Sequence, residues 1–102
     1  MRIGHGVHAT MTARPGKGDE LVRLLLRAPS IPHEDCVVFL VGRSPSDDDV
    51  VFVTEGWTSR EAHGRFCAGD AAREYVARIA PLVAGDGWSV AEVTAEGPAL
   101  RR

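Results

Sequence analysis

The 102-residue chain is 44% hydrophobic and 25% charged, carries a net charge of −2, and has a single lysine, Lys17. That length suits one domain, the mixture is that of a soluble globular protein, and the interleaved acids and bases form no basic stripe, which argues against a nucleic-acid surface. No apolar run approaches the roughly 18 residues a membrane helix needs, and Met1-Arg2-Ile3-Gly4-His5 lacks the apolar core of a secretory signal.

With no secretory signal, Cys36 and Cys67 are expected to be free thiols of a cytoplasmic protein rather than a disulfide. A chain this short buries only about 60–65% of its unfolded surface. Burial against a second chain would help it.

Residues 3 to 13 alternate, with Val7, Ala9 and Met11 on one face and His8, Thr10 and Thr12 on the other, which predicts a first strand. Arg14-Pro15-Gly16-Lys17-Gly18 is a turn. Asp19 and Glu20 then place acids at the positive end of a helix. Its apolar stripe is Leu21, Leu24, Leu25 and Ala28, and Pro29 and Pro32 stop it. Cys36 to Val41 is a second, β-branched strand, in which Cys36 reads as a small core residue. The polar hairpin loop from Ser44 to Asp49 ends in three aspartates, which read as a solvated tip rather than a calcium site. Val50 to Trp57 is the third strand.

Thr58 followed by Glu61 fits a capping box, opening a short helix that runs through Phe66. Gly69-Asp70 breaks and recaps it. A second stretch carries Ala72, Val76, Ile79 and Val83 at helical spacing, ended or kinked by Pro81. After Gly85-Asp86-Gly87, Trp88 to Thr94 is the fourth strand. Residues 1–95 thus make one domain, and 96–102 a loose polar tail.

The order β-α-β-β-α-β predicts an α+β ferredoxin-like fold with a four-stranded antiparallel sheet. Helices can cover only one face of that sheet. Yet the second strand is apolar at six successive positions, and the third opens with four. Both faces call for burial, and a homodimer packed sheet to sheet supplies it.

Three segments resemble one family. They are Ala9-Thr10-Met11-Thr12-Ala13-Arg14-Pro15-Gly16-Lys17, Glu55-Gly56-Trp57-Thr58-Ser59-Arg60-Glu61-Ala62, and Ile79-Ala80-Pro81-Leu82-Val83. In this order and spacing, over residues of about 7 to 94, they resemble the antibiotic biosynthesis monooxygenase (ABM) family of dimeric α+β barrels. The resemblance implies a small oxygenase without metal, flavin or other cofactor, oxidising phenols, quinols or anthrones to quinones with O₂. The deprotonated aromatic itself hands an electron to O₂. The protein supplies a dry pocket between sheet and helices and a group to move the proton. Other members bind or degrade haem, or have lost oxygenase activity.

The resemblance assigns Trp57 to the substrate pocket; the alternative is a Trp closing the core beneath a helix start. His63, six residues on, stands where quinone-forming members place a Tyr against the substrate hydroxyl. An imidazole there can take a phenolic proton near neutral pH; the alternative is a surface histidine. The position nine after the Trp, a His in many quinol oxygenases of the family, is Phe66. The position four before it, an Asn in some polyketide members, is Val53. The Asn–Trp–His set of the haem-degrading branch falls on Val7, Phe66 and Val76, which disfavours haem degradation. These replacements make the pocket more apolar.

Further candidates are His8, facing the pocket or a dimer interface, Tyr75 as a hydrogen-bond donor to a ligand, and Arg78, which stabilises a substrate anion or is a plain surface arginine. His5 and His8 point to opposite faces of a strand, so they make no metal pair. His33, in a proline-rich loop, is expected in solvent. No nucleophile elbow, Cys-x-x-Cys or glycine-rich phosphate loop occurs. The resemblance implies a cofactor-independent monooxygenase acting on a small aromatic, with polyketides among its candidate substrates, and with His63 and Trp57 catalytic. Phe66, Tyr75, His8, Val53 and Arg78 would line its substrate. Its rivals on the same fold are a non-catalytic small-aromatic or haem-binding protein and a polyketide isomerase or cyclase.

Overall fold

Alternation along two neighbouring strands decides the architecture. The computed structural model describes residues 3–93. In it β1 (His5–Ala13) lies antiparallel to β3 (Val50–Trp57), with Ala9 opposite Val53 and Met11 opposite Val51. These four residues are buried in one cluster with Leu21, Leu25 and Ile79 of the helices. Odd-numbered residues of both strands therefore face the helices, and even-numbered ones face away. β2 (Cys36–Arg43) pairs with β3, and β4 (Val83–Val93) with β1, giving the order β2-β3-β1-β4, antiparallel throughout. With α1 (Gly18–Leu25), α2 (Arg60–Cys67) and α3 (Asp70–Ile79), this is the predicted ferredoxin-like α+β fold.

α1 buries Leu21 and Leu25 completely, at the predicted spacing. It ends at Leu25, and Ala28 is buried in the turn beyond. Its start is held from an unexpected quarter. Asp49 accepts hydrogen bonds from the Gly16 and Gly18 amides at 3.1 and 3.0 Å, satisfying N–H groups that a helix start leaves free. Gly16 turns with φ of 81°, and a Cβ on Gly18 would collide with the Asp48 carbonyl. The third aspartate of the hairpin is thus a structural anchor, not part of a solvated tip.

Two other expectations move by a few residues. Ser59, not Thr58, caps α2, accepting from the Ala62 amide at 3.0 Å. Thr58 instead donates its hydroxyl to Asp35 at 2.8 Å, tying the helix start to the loop before β2. β4 begins at Val83 rather than Trp88, because Gly85-Asp86-Gly87 is absorbed where its register with β1 slips between Met11 and Ala13. The expected tail, residues 96–102, and the expected last residue of β4, Thr94, lie outside the described residues.

Among the described residues no helix lies over the even-numbered face. Leu40, Thr54 and His8 lie side by side there, as do Val38, Gly56, Gly6 and Val93. Leu40 is 62% exposed and Val93 44%. Among the described residues no helix is long and apolar enough to cross a membrane, and Cys36 and Cys67 are both free thiols.

Candidate active site

Helices and sheet do not close completely on each other. Between them lies a cavity of about 210 Å³. Its floor is Val7, Ala9 and Met11 of β1, Val53 and Glu55 of β3, and Trp88 and Val90 of β4. Phe66 and Cys67 of α2 and Tyr75, Val76 and Ile79 of α3 form the other wall. The lining is overwhelmingly apolar, which suits a ring-shaped ligand.

One acid interrupts it. Glu55 follows Val51 and Val53 in the inward-facing set of β3 and sits opposite Val7. Its Oε1 accepts from the Trp57 indole N–H at 2.9 Å. Trp57 is fully buried, so the carboxylate is held by a group that cannot swing away.

His63 enters from the first turns of α2, half-buried, its ring centre 5.1 Å from those of both Trp57 and His5. Burial pulls its pKa below the usual imidazole value; Glu55 opposes that, and His5 adds to it. Burial thus favours the neutral imidazole, whose free ring nitrogen can accept a proton. Its Nε2 lies 3.3 Å from the Cys67 sulfur, one helical turn on. Burial, then Glu55, raises the Cys67 pKa, so this thiol stays protonated. A largely apolar chamber with one imidazole in its wall can move a proton on a bound aromatic.

The family model for antibiotic biosynthesis monooxygenase matches residues 4–78. The chain belongs to that family. A candidate ABM protein from Chloroflexus aurantiacus J-10-fl is 26% identical over 95% of both chains, with a TM-score of 0.80. One from Caulobacter crescentus CB15 is 24% identical over 93% of this chain and 92% of its own, at 0.78. A conserved protein from Methanosarcina mazei Go1 has the same fold at 14% identity, covering 92% of this chain and 94% of its own, at 0.79. No curated protein matches the chain.

In this ABM protein His63, Phe66, Val53 and Tyr75 converge on the one cavity. Tyr75 lines it with its ring only. Its hydroxyl donates to the Leu25 carbonyl at 2.9 Å, tying α3 to α1, and burial, then Glu55, pushes its pKa up. The expected hydrogen bond to a ligand is thus already committed. Trp57 stands behind the wall rather than in it. Its ring centre is 5.2 Å from that of Phe66 and 5.4 Å from that of His33, which makes it a positioning residue for Glu55 and His63.

Two expected contacts lie elsewhere. His8 has even parity on β1 and faces the open side of the sheet, with Nδ1 3.1 Å from the Thr54 hydroxyl and its ring stacked on Phe52. Arg78 is on the outer side of α3, exposed and paired with Glu74 at 2.7 Å. Neither reaches the cavity.

His33, expected in solvent, is half-buried with its ring edge-on to Phe66 at 5.4 Å. Val7, Phe66 and Val76 all line the chamber and offer no metal-ligating atom. Among the described residues no group of three or more His, Cys, Asp or Glu is placed to hold a metal. Glu55 is the residue the sequence reading passed over as a site residue. The signal was present: an acid at the inward parity of a strand whose other inward residues are Val51, Val53 and Trp57.

Proposed function

We propose that this cavity is the substrate site of a cofactor-independent monooxygenase that converts a phenolic, quinol or anthrone-like aromatic to a quinone with O₂. The observation carrying this reading is the half-buried imidazole of His63 in the wall of a largely apolar chamber. His63 takes the proton of the bound hydroxyl, acting as general base. The electron-rich anion then reduces O₂ directly. One oxygen atom enters the ring and the other leaves as water, the four electrons coming from the substrate, so no outside reductant is needed. The apolar lining keeps bulk water from the reactive anion.

The working form in this proposal is a cytoplasmic homodimer. The uncovered sheet face, with Leu40 and Val93 exposed, is the surface on which two copies meet.

The test is oxygen uptake with hydroquinone in the presence of a strong chelator. One O₂ should be consumed per hydroxyquinone formed. Replacing His63 by Ala should lower the rate roughly 100-fold or more, the usual worth of a general base. Saturable binding without oxygen consumption would assign the cavity to a small-aromatic binding protein. Turnover under nitrogen would assign it to an isomerase or cyclase.

A further inference from the structure

Glu55 has no part in the proton transfer just described, yet it is the only acid in the lining. Its geometry is constrained on one side and open on the other. Oε1 is taken by the Trp57 indole at 2.9 Å, and among the described residues no donor reaches Oε2. The remaining polar side chains of the wall, Ser30, His63, Cys67, Tyr75 and Trp88, leave that oxygen unanswered. The Tyr75 hydroxyl is spent on the Leu25 carbonyl. The Cys67 thiol, a weak donor at best, lies against His63.

A carboxylate is acceptor-only, and an occupant that displaces water from beside it without bringing a donor leaves that acceptor unpaired at a cost. The occupant must bring the donor. The reach of the charge is visible in its neighbours. Cys36, Cys67, Tyr75 and His63 all have their pKa pushed upward by Glu55, whatever burial adds or subtracts. A ligand that arrives already ionised would meet the same field uncompensated, whereas a neutral hydroxyl that gives its proton to His63 leaves an imidazolium beside it as counter-charge.

Size narrows the occupant further. An engineered apolar cavity of about 150 Å³ admits benzene. A chamber of about 210 Å³ therefore suits one substituted ring better than three fused ones.

We propose that Glu55 is a specificity-determining residue that makes the chamber select neutral, hydroxyl-bearing single-ring aromatics and reject aromatic acids. This rests on the reading of the chamber as the substrate site, and narrows it from phenols and anthrones at large to single-ring phenols and quinols.

The test is equilibrium binding of three ligands of one shape to the whole chain at pH 7.5, by titration calorimetry: p-cresol, p-toluate and p-methylanisole. The wild-type protein should bind p-cresol at least about tenfold tighter than either of the others, since a site built around a hydroxyl rejects the analogue that lacks its donor. Glu55→Gln keeps an acceptor for the Trp57 indole but removes the charge. It should shrink the cresol-to-toluate ratio about tenfold. Equal binding of cresol and toluate by the wild type, failure of cresol to bind, or an unchanged ratio in a folded Glu55→Gln protein overturns the proposal. Should that variant not fold, the wild-type comparison of cresol with methylanisole decides: equal affinities sink it.

Oxygen uptake keeps the two readings separate. Selective binding of cresol with no uptake on hydroquinone removes the oxygenase and leaves Glu55's role intact. Rapid uptake on an aromatic acid does the reverse.

Discussion

The two faces of this sheet are built from the same strands, residue by residue in alternation, and they have opposite characters. On the odd-numbered face Val7, Ala9, Val51 and Val53 are at most 5% exposed, and the acid that lines the chamber, Glu55, is held by a buried indole. On the even-numbered face Leu40 is 62% exposed, while His8 and Thr54 bond to each other beside it. Composition does not separate the faces, since each carries a histidine, threonines or an acid, and branched aliphatics. What separates them is which side the connections α1 and α2–α3 crossed. The helices turned one face into a chamber with fixed polar groups and left the other as a surface.

The largest way to break the contrast is at Trp57. Truncation to Ala removes a fully buried ring and should cost about 3–5 kcal/mol of stability, read from urea or guanidinium midpoints. It should also release Glu55 and erase the ligand preference in whatever fraction remains folded. A loss below about 1 kcal/mol would mean that the indole is not the keystone of the chamber wall.

A paired substitution tests the faces against each other. Val53→Asp puts an unpartnered charge on the buried side, 3% exposed and next but one to Glu55. It should destabilise the fold by several kcal/mol, or roughly 3–5. Leu40→Asp on the adjacent strand should leave monomer stability within about 0.5 kcal/mol and abolish the proposed dimer. Sedimentation of wild type and variant reads the latter. A wild-type protein that sediments as a monomer removes the sheet-to-sheet pairing outright.

His63 offers a smaller and sharper handle. Its pKa in the folded protein is below the ordinary 6.5 because burial disfavours the imidazolium. Below pH 6.5 the unfolded chain takes up this proton before the folded one does. The residue's contribution is therefore fully present above 6.5 and is lost as pH falls through the window just beneath it. Melting temperatures followed from pH 7.5 downward should fall in that window for wild type. The fall should be smaller in His63→Ala. The oxygen-uptake rate should carry an acid limb in the same range.

The smallest effect belongs to the open face. His8→Ala removes a half-buried contact with Thr54 and should cost about 1 kcal/mol or less, with cresol affinity unchanged. Altered cresol affinity would place His8 in contact with the chamber after all.

Much of this protein was written in local periodicity. The alternation in residues 5 to 13, the helical stripe of Leu21 and Leu25, the polar hairpin loop before Val50 and the β-α-β-β-α-β order are short-range patterns. Each survives folding because the backbone repeats that generate them are intrinsic to strand and helix. The separation of His5 from His8 onto opposite faces followed from the same rule, as did the presence of His63 on the first turns of a helix.

Tertiary structure alone decided which face of the sheet the helices would roof, and hence that His8 stands outside the chamber and Glu55 inside it. It also decided that the Tyr75 hydroxyl is spent on Leu25, fifty positions away, that Trp57 is a prop behind the wall, and that Asp49 grips the start of α1. These outcomes depend on atoms meeting across long stretches of chain. A period of two tells that neighbouring residues point apart, but only packing tells which of them is sealed from water.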